Sequence, residues 1–197
     1  MRNEQERGFT LIELLVVVLV LLTLVLIAGP PLRNAQLRAE IAQVQKDLKV
    51  VESAMEWYYL DHKKYPDGPE NGSLSNRSSS RKAGLGLLTE PVQYLEEIPA
   101  DRFHDRDDIE VGRKTYKLGS GGLKEGPYIP AWILVSSGPD RFTDTSRIGT
   151  FPMGTTAYNY DPTNGLRSEG DILRFGGDWS EGDWFLNGHR ICQRSGE

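Results

Sequence analysis

Close to the N-terminus, polar positions almost vanish. From Phe9 to Ala28 every residue except Thr10, Glu13 and Thr23 is apolar. Twenty helical residues at ~1.5 Å each span ~30 Å, the hydrocarbon thickness of a bilayer. The run exceeds the apolar core of a secretory signal, and Ala28-Gly29-Pro30-Pro31 is a poor small-x-small cleavage site. It predicts a transmembrane helix over 9–28, preceded by a leader over 1–8. Arg2 and Arg7 offset Glu4 and Glu6 in that leader, so cation bias orients the helix only weakly. On hydropathy alone this is a plain single-pass anchor.

Past the anchor the pattern turns amphipathic. Pro30 and Pro31 remove amide donors, so a kink or a short melted segment is expected. Leu37, Ile41, Val44, Leu48, Val51, Met55 and Tyr58 then recur at alternating spacings of four and three, one apolar stripe on a helix continuing over 29–62. A free-standing coiled coil would read the same way, but the loop-rich sequence that follows favours packing on a domain over 63–197. Pro66 and Gly68 end the helix. A polar stretch, Pro69 to Lys82, reads as a surface loop containing the formal glycosylation sequons at Asn71 and Asn76. Strands are expected at Lys114–Leu118, Ala131–Ser136 and Thr155–Tyr160, in β-branched or aromatic runs bounded by glycine and proline. The fold class is therefore α+β: a long N-terminal helix packed on a small antiparallel sheet with irregular C-terminal loops.

Composition narrows the chemistry. The 197 residues carry a net charge of −5, and no dense basic patch interrupts it, so no nucleic-acid role is expected. The single cysteine, Cys192, forms no internal disulfide and is read as an unpaired bystander. His62, His104 and His189 are far apart, and no phosphate loop occurs. Asp105, Asp107 and Asp108 read as a solvated loop, while Trp179 and Trp184 either cover the sheet or face a partner. No enzyme is expected.

Glu13 is the exception inside the apolar run. A carboxylate deep in a bilayer costs about 3 kcal/mol and needs a partner or a function. It stands in Gly8-Phe9-Thr10-Leu11-Ile12-Glu13, followed by Leu-Leu-Val-Val-Val. This junction resembles the signal of prepilins and pseudopilins, the type IV pilin-like superfamily. The resemblance implies cleavage between Gly8 and Phe9 by a prepilin peptidase, with N-methylation of Phe9. It also implies that Glu13, then the fifth residue, pairs with the terminal amine of a neighbouring subunit during assembly. Such a pair selects one register among many.

Further along, Tyr58-x-x-Asp61-x-x-x-Tyr65-Pro66 and Pro91…Tyr94-Leu95…Ile98-Pro99…Asp101 resemble the major, G-type pseudopilins of type II secretion. That family implies an inner-membrane, single-pass protein with a periplasmic C-terminal domain. Its expected partners are further copies in a helical fibre, minor pseudopilins, and an inner-membrane assembly platform with its ATPase. Ser136-Ser137-Gly138-Pro139-Asp140 resembles the family's entrance to a calcium loop, closed by Gly170-Asp171-Ile172. The resemblance implies calcium, with Asp140 and Asp171 as ligands, although 30 intervening residues exceed the compact family loop. A solvated acidic loop held by Asx-turns fits the same residues. A type IV pilin or minor pilin, for adhesion, motility or DNA uptake, is the alternative to a pseudopilin. Surface pilins commonly close the C-terminal loop with a disulfide, which a lone Cys192 does not supply. A membrane-anchored enzyme or binding module carrying a borrowed signal is a third class, disfavoured by the missing catalytic motifs.

Overall fold

The computed structural model describes residues 9–67, 84–104, 115–123 and 125–192. The leader with Gly8, the loop with its two sequons, and Asp105, Asp107 and Asp108 lie outside the described residues. Contacts divide the chain into two units, Met1–Ala39 and Glu40–Glu197.

One helix, α1 (Leu11–His62), runs through both units. In the first, every large apolar side chain from Leu11 to Ile27 is at least 46% exposed, so no described part of the chain covers this surface. No single straight helix among the described residues is long and apolar enough to cross a membrane. Leu11–Ile27 and Pro31–His62 meet that test together, as a bent pair. The backbone stays helical through residues 28–31, so the adjoining prolines, which lack amide donors, produce a bend rather than a melted turn.

In the second unit the predicted stripe is the buried face of α1. Ile41, Val44, Leu48, Val51 and Met55 are all buried, with Tyr58 half-buried where the stripe ends. The helix stops when Lys63 turns left-handed (φ 57°), its amide donating to the Tyr59 carbonyl at 2.8 Å. That is three residues before Pro66, so a C-terminal backbone cap ends the helix ahead of the proline. The exit is then pinned to the sheet. Ser120 donates to the Pro66 carbonyl at 2.6 Å, and the Tyr65 amide donates to the Tyr128 hydroxyl at 2.7 Å.

The first sheet has the order β1 (Lys117–Gly121), β2 (Ile129–Ser136), β4 (Ile172–Gly177) and is antiparallel throughout. Alternation along β2 separates its two faces. Trp132 points to α1, where its indole donates to Glu56 at 3.1 Å, and Gly176 directly opposite leaves room for the ring. Ala131, Ile133 and Val135 face the other way, into a core with Phe151, Ala157 and Trp184. That core is roofed by a second sheet, β3 (Met153–Ala157), β5 (Asp183–Leu186) and β6 (His189–Cys192). In it β3 runs parallel to β5, and β6 antiparallel. The domain is thus α+β in three layers. The second sheet, with its parallel pair, goes beyond the small antiparallel sheet expected from the sequence. Trp184 covers the sheet: it is fully buried, with Phe151, Phe175 and Trp179 edge-on at 5.1, 5.0 and 6.0 Å.

Candidate functional site

Two places carry the chemistry. The first is the start of α1, where Phe9 is exposed and Gly8 precedes the described residues. Thr10 is the helix N-cap, since its carbonyl accepts the amide of Leu14 at 3.2 Å. Glu13 reaches back and accepts from the Thr10 amide at 2.9 Å and the Thr10 hydroxyl at 2.7 Å. The Glu13 amide donates to the same hydroxyl at 3.3 Å. This is the reciprocal Thr-x-x-Glu capping box. The carboxylate inside the apolar run is therefore satisfied within the chain before any neighbour arrives. Glu13 is exposed at this helix end, where a cation can approach it.

The second place is the loop between β2 and β4. Asp171 ends it and is wholly buried. Its Oδ2 accepts the amides of Thr145 (2.7 Å) and Asp144 (3.1 Å). Its Oδ1 is buried without a hydrogen-bond partner. Asp144 in turn accepts the Gly170 amide at 2.8 Å, so the two carboxylates cross-brace the loop. Gly138, at φ 70°, lies so close that a Cβ there would meet the Gly170 carbonyl oxygen at 2.5 Å, which draws the two arms together. Burial, opposed in part by the Thr145 side chain and by these amides, pushes the Asp171 carboxyl up to about 7, and the charge of Asp144 adds to the rise. Asp140 is held above its ordinary value by partial burial and by Asp144, and its Oδ1 accepts the Phe142 amide at 3.2 Å.

The two aspartates singled out in the sequence therefore sit in different settings. Asp171 is the orphaned, desolvated centre, while Asp140 holds an Asx-turn at the entrance. Asp144, one of several acids of the right chemical class along the loop sequence, joins them here by bracing Gly170. Among the described residues no three His, Cys, Asp or Glu side chains form a ligand group. A hard cation would have to complete its shell from backbone carbonyls and water, which calcium accepts. The orphaned Oδ1 fits such an ion, and it equally fits a proton.

The proton has a measurable consequence. A carboxyl at about 7 in the folded chain and in the ordinary range when unfolded binds its proton preferentially in the native state. Its stabilising share is complete below pH ~4 and is lost as pH rises through ~7, with a slope of up to about 1.4 kcal/mol per pH unit. Without divalent cations, chelator-treated protein should lose melting temperature between pH 5 and 7.5. Asp171→Asn should flatten that profile. An unchanged profile in the variant would assign the pH dependence elsewhere.

A further buried polar cluster borders the loop. Lys117 donates to Ser137 (3.3 Å) and Thr143, while Asp101 accepts from Ser136 (2.7 Å) and the Phe103 amide (2.9 Å). These bonds fix the outgoing strand end against β1.

Comparison with known proteins places these features in context. Residues 5–29 match the prokaryotic N-terminal methylation motif. The chain is 29% identical over 165 residues to a type II secretion system core protein G from Dickeya chrysanthemi, covering 80% of this chain and 94% of the relative. It is 35% identical over 132 residues to the core protein G of Pseudomonas aeruginosa, covering 64% of this chain and 91% of that one. A type IV major pilin, PilE1 of Neisseria gonorrhoeae, is 30% identical over 133 residues, covering 66% of this chain and 64% of the pilin. No solved structure matches the chain.

Proposed function

The chain belongs to the type II secretion system core protein G family, and from that premise we propose that it builds a periplasmic fibre whose growth drives folded proteins across the outer membrane. It is a pseudopilin subunit, and its hydrophobic N-terminal helix fits an inner-membrane anchor. The observation that carries the reading is the near-complete coverage of the Pseudomonas relative at 35% identity, joined to the methylation motif. In this reading a prepilin peptidase cuts after Gly8, Phe9 becomes the methylated terminus, and Glu13 receives the amine of the next subunit. The domain beyond the anchor lies in the periplasm. Minor pseudopilins cap the fibre, and an assembly platform with its ATPase extracts each copy. Such an external energy source is required, because apolar helices gain little from leaving lipid for one another. The relatives matched are structural subunits, and the reading assigns no catalysis. The match to PilE1 keeps a type IV pilin as the second reading, behind the first because it covers less of the relative.

Intact mass and N-terminal sequencing of protein from a host with an active prepilin peptidase test the reading. The expected chain begins at methylated Phe9. A chain still carrying its leader, with the peptidase shown to work, would overturn it.

Calcium belongs to the same proposal. Asp171, through its orphaned Oδ1, is the residue to hold it, with Asp140 and Asp144 beside it, and the ion would supply the positive charge this cluster lacks. Calcium should then raise the melting temperature at pH 7.5, and chelator should reverse the rise. Asp171→Asn should abolish the response. A parent chain indifferent to both additions would leave the proton as the sole occupant.

A further inference from the structure

The second unit carries an apolar groove at one end of β2 and an exposed cation beside an aromatic ring at the other. The groove, of about 350 Å³, is lined by Leu123, Tyr128, Pro130 and Met153, joined by the acids Asp178 and Glu181. Leu123 is 47% exposed, and both acids are exposed. Gly177 on β4 pairs with Ala131 near the start of β2, which brings the turn bearing the two acids to this end of the sheet. Donors from Ser180 hold the Asp178 carboxyl below its ordinary range, so it is charged at neutral pH. Beyond the far end of β2, Arg141 and Phe142 stand next to each other on the loop. Arg141 is exposed, and Phe142 is 54% exposed. Arg141 has φ 64°, a left-handed conformation that a long side chain rarely adopts. A turn holds it there: its amide donates to the Gly138 carbonyl at 3.1 Å, and the Phe142 amide donates to Asp140 at 3.2 Å.

We propose that the Arg141–Phe142 pair of one copy docks in the groove of a second copy, the ring on its apolar wall and the guanidinium between Asp178 and Glu181. The inference rests on the fibre-subunit reading and adds a contact between sheet domains to it. Three observations select the occupant. The first is complementarity: a cation beside an aromatic ring matches two carboxylates beside an apolar wall, and arginine and aromatic side chains are the anchors that dominate protein interfaces. Secondly, one copy cannot satisfy itself. The eight residues of β2 separate the two features by roughly 26 Å, at ~3.3 Å per residue. The third is direction. Trp132, early in β2, bonds to Glu56, whereas Arg174, opposite Leu134, bonds to Glu52. Tyr116, just before the Lys117 that pairs with Val135, bonds to Asp47. β2 therefore runs back along α1, with the groove toward the C-terminal end of the helix and the Arg141–Phe142 turn toward the other end of the domain. Copies anchored in one membrane point the same way, so each offers its turn to a neighbour's groove. The contact is heterologous and repeats without closing.

The test uses the full chain with its secretion machinery. A photoreactive benzoylphenylalanine replaces Phe142, fibres built from isotope-labelled and unlabelled copies are irradiated, and adducts are mapped by mass spectrometry. The expected product joins residue 142 of one copy to the peptide holding Tyr128 or Met153 of another. Adducts confined to other segments or to other proteins, in preparations that contain fibres, would overturn the contact and leave the family reading intact. A parent chain that makes no fibres would overturn both. As a second measurement, charges are exchanged across the contact. Arg141→Glu and Glu181→Arg should each lower fibre yield about tenfold, the order expected for reversing one member of an interface charge pair. The double variant should return to within about twofold of the parent, a recovery that poor folding of either single variant does not produce. Single variants that assemble like the parent, or a double variant no better than the weaker single one, would refute the contact.

Discussion

Glu13→Ala is expected to be inserted and cleaved after Gly8 like the parent, yet to yield at least tenfold fewer fibres. Its carboxylate is the sole formal charge among the side chains from Phe9 to Ala28, and removing it eases residence in the bilayer. Insertion and processing therefore have no reason to suffer. What disappears is the anion that a neighbour's terminal amine would meet. The capping box complicates a simple reading, because alanine also deletes the bonds from Thr10 to Glu13. Glu13→Gln separates the two roles, since glutamine serves at this position of a capping box but carries no charge. Both variants should fail to assemble. Normal fibres from the glutamine variant would reassign Glu13 to helix capping and refute the intersubunit pair.

The second large effect concerns the core. Gly119→Ala should destabilise the domain by at least about 3 kcal/mol. An added Cβ would stand 1.8 Å from the carbonyl oxygen of Ile148 and 3.1 Å from Cγ2 of Ile133. Neither neighbour can yield cheaply. Ile148 is buried and opens a 3-10 turn that holds Phe151 in the core, and Gly119 is paired with Ile133 in the centre of the β1–β2 ladder. Overpacking against backbone exceeds the usual cost of one extra methylene, because no rotamer change relieves it. Denaturant unfolding of the full chain in detergent would measure the loss. A change below 1 kcal/mol would mean that the turn at Ile148 moves freely away from the strand.

The elements legible in the sequence were those whose signal is local and repeated. The α1 stripe could be counted residue by residue, and the run from Ala131 to Ser136 announced β2 through its aromatic and β-branched residues, bounded by proline and glycine. The sequence gives no strand signal at Ile172–Gly177, because its hydrogen-bonding partner, β2, is separated from it by the 35 residues 137–171. Nothing in Ile-Leu-Arg-Phe-Gly-Gly records that separation. β5 and β6 are four residues each, too short for alternation to register. At the loop, residue type identified Asp171, but its setting depends on the amides of Asp144 and Thr145, which come from 27 and 26 residues away to its Oδ2.

Three acids on α1 fasten the helix to the first sheet at three different points. Asp47 accepts from Tyr116 at the foot of β1, Glu52 from Arg174 on β4, and Glu56 from Trp132 on β2. Each bond alone is modest, of the order of 1 kcal/mol or a little more where charge assists. In mechanical terms they are rivets placed side by side. A thrust delivered along the helix axis loads all three in shear together, with the apolar stripe beneath them, so the sheet is carried forward as a plate and no strand is peeled off first. In the proposed fibre, that joint would let a push on the helix move the whole head at once.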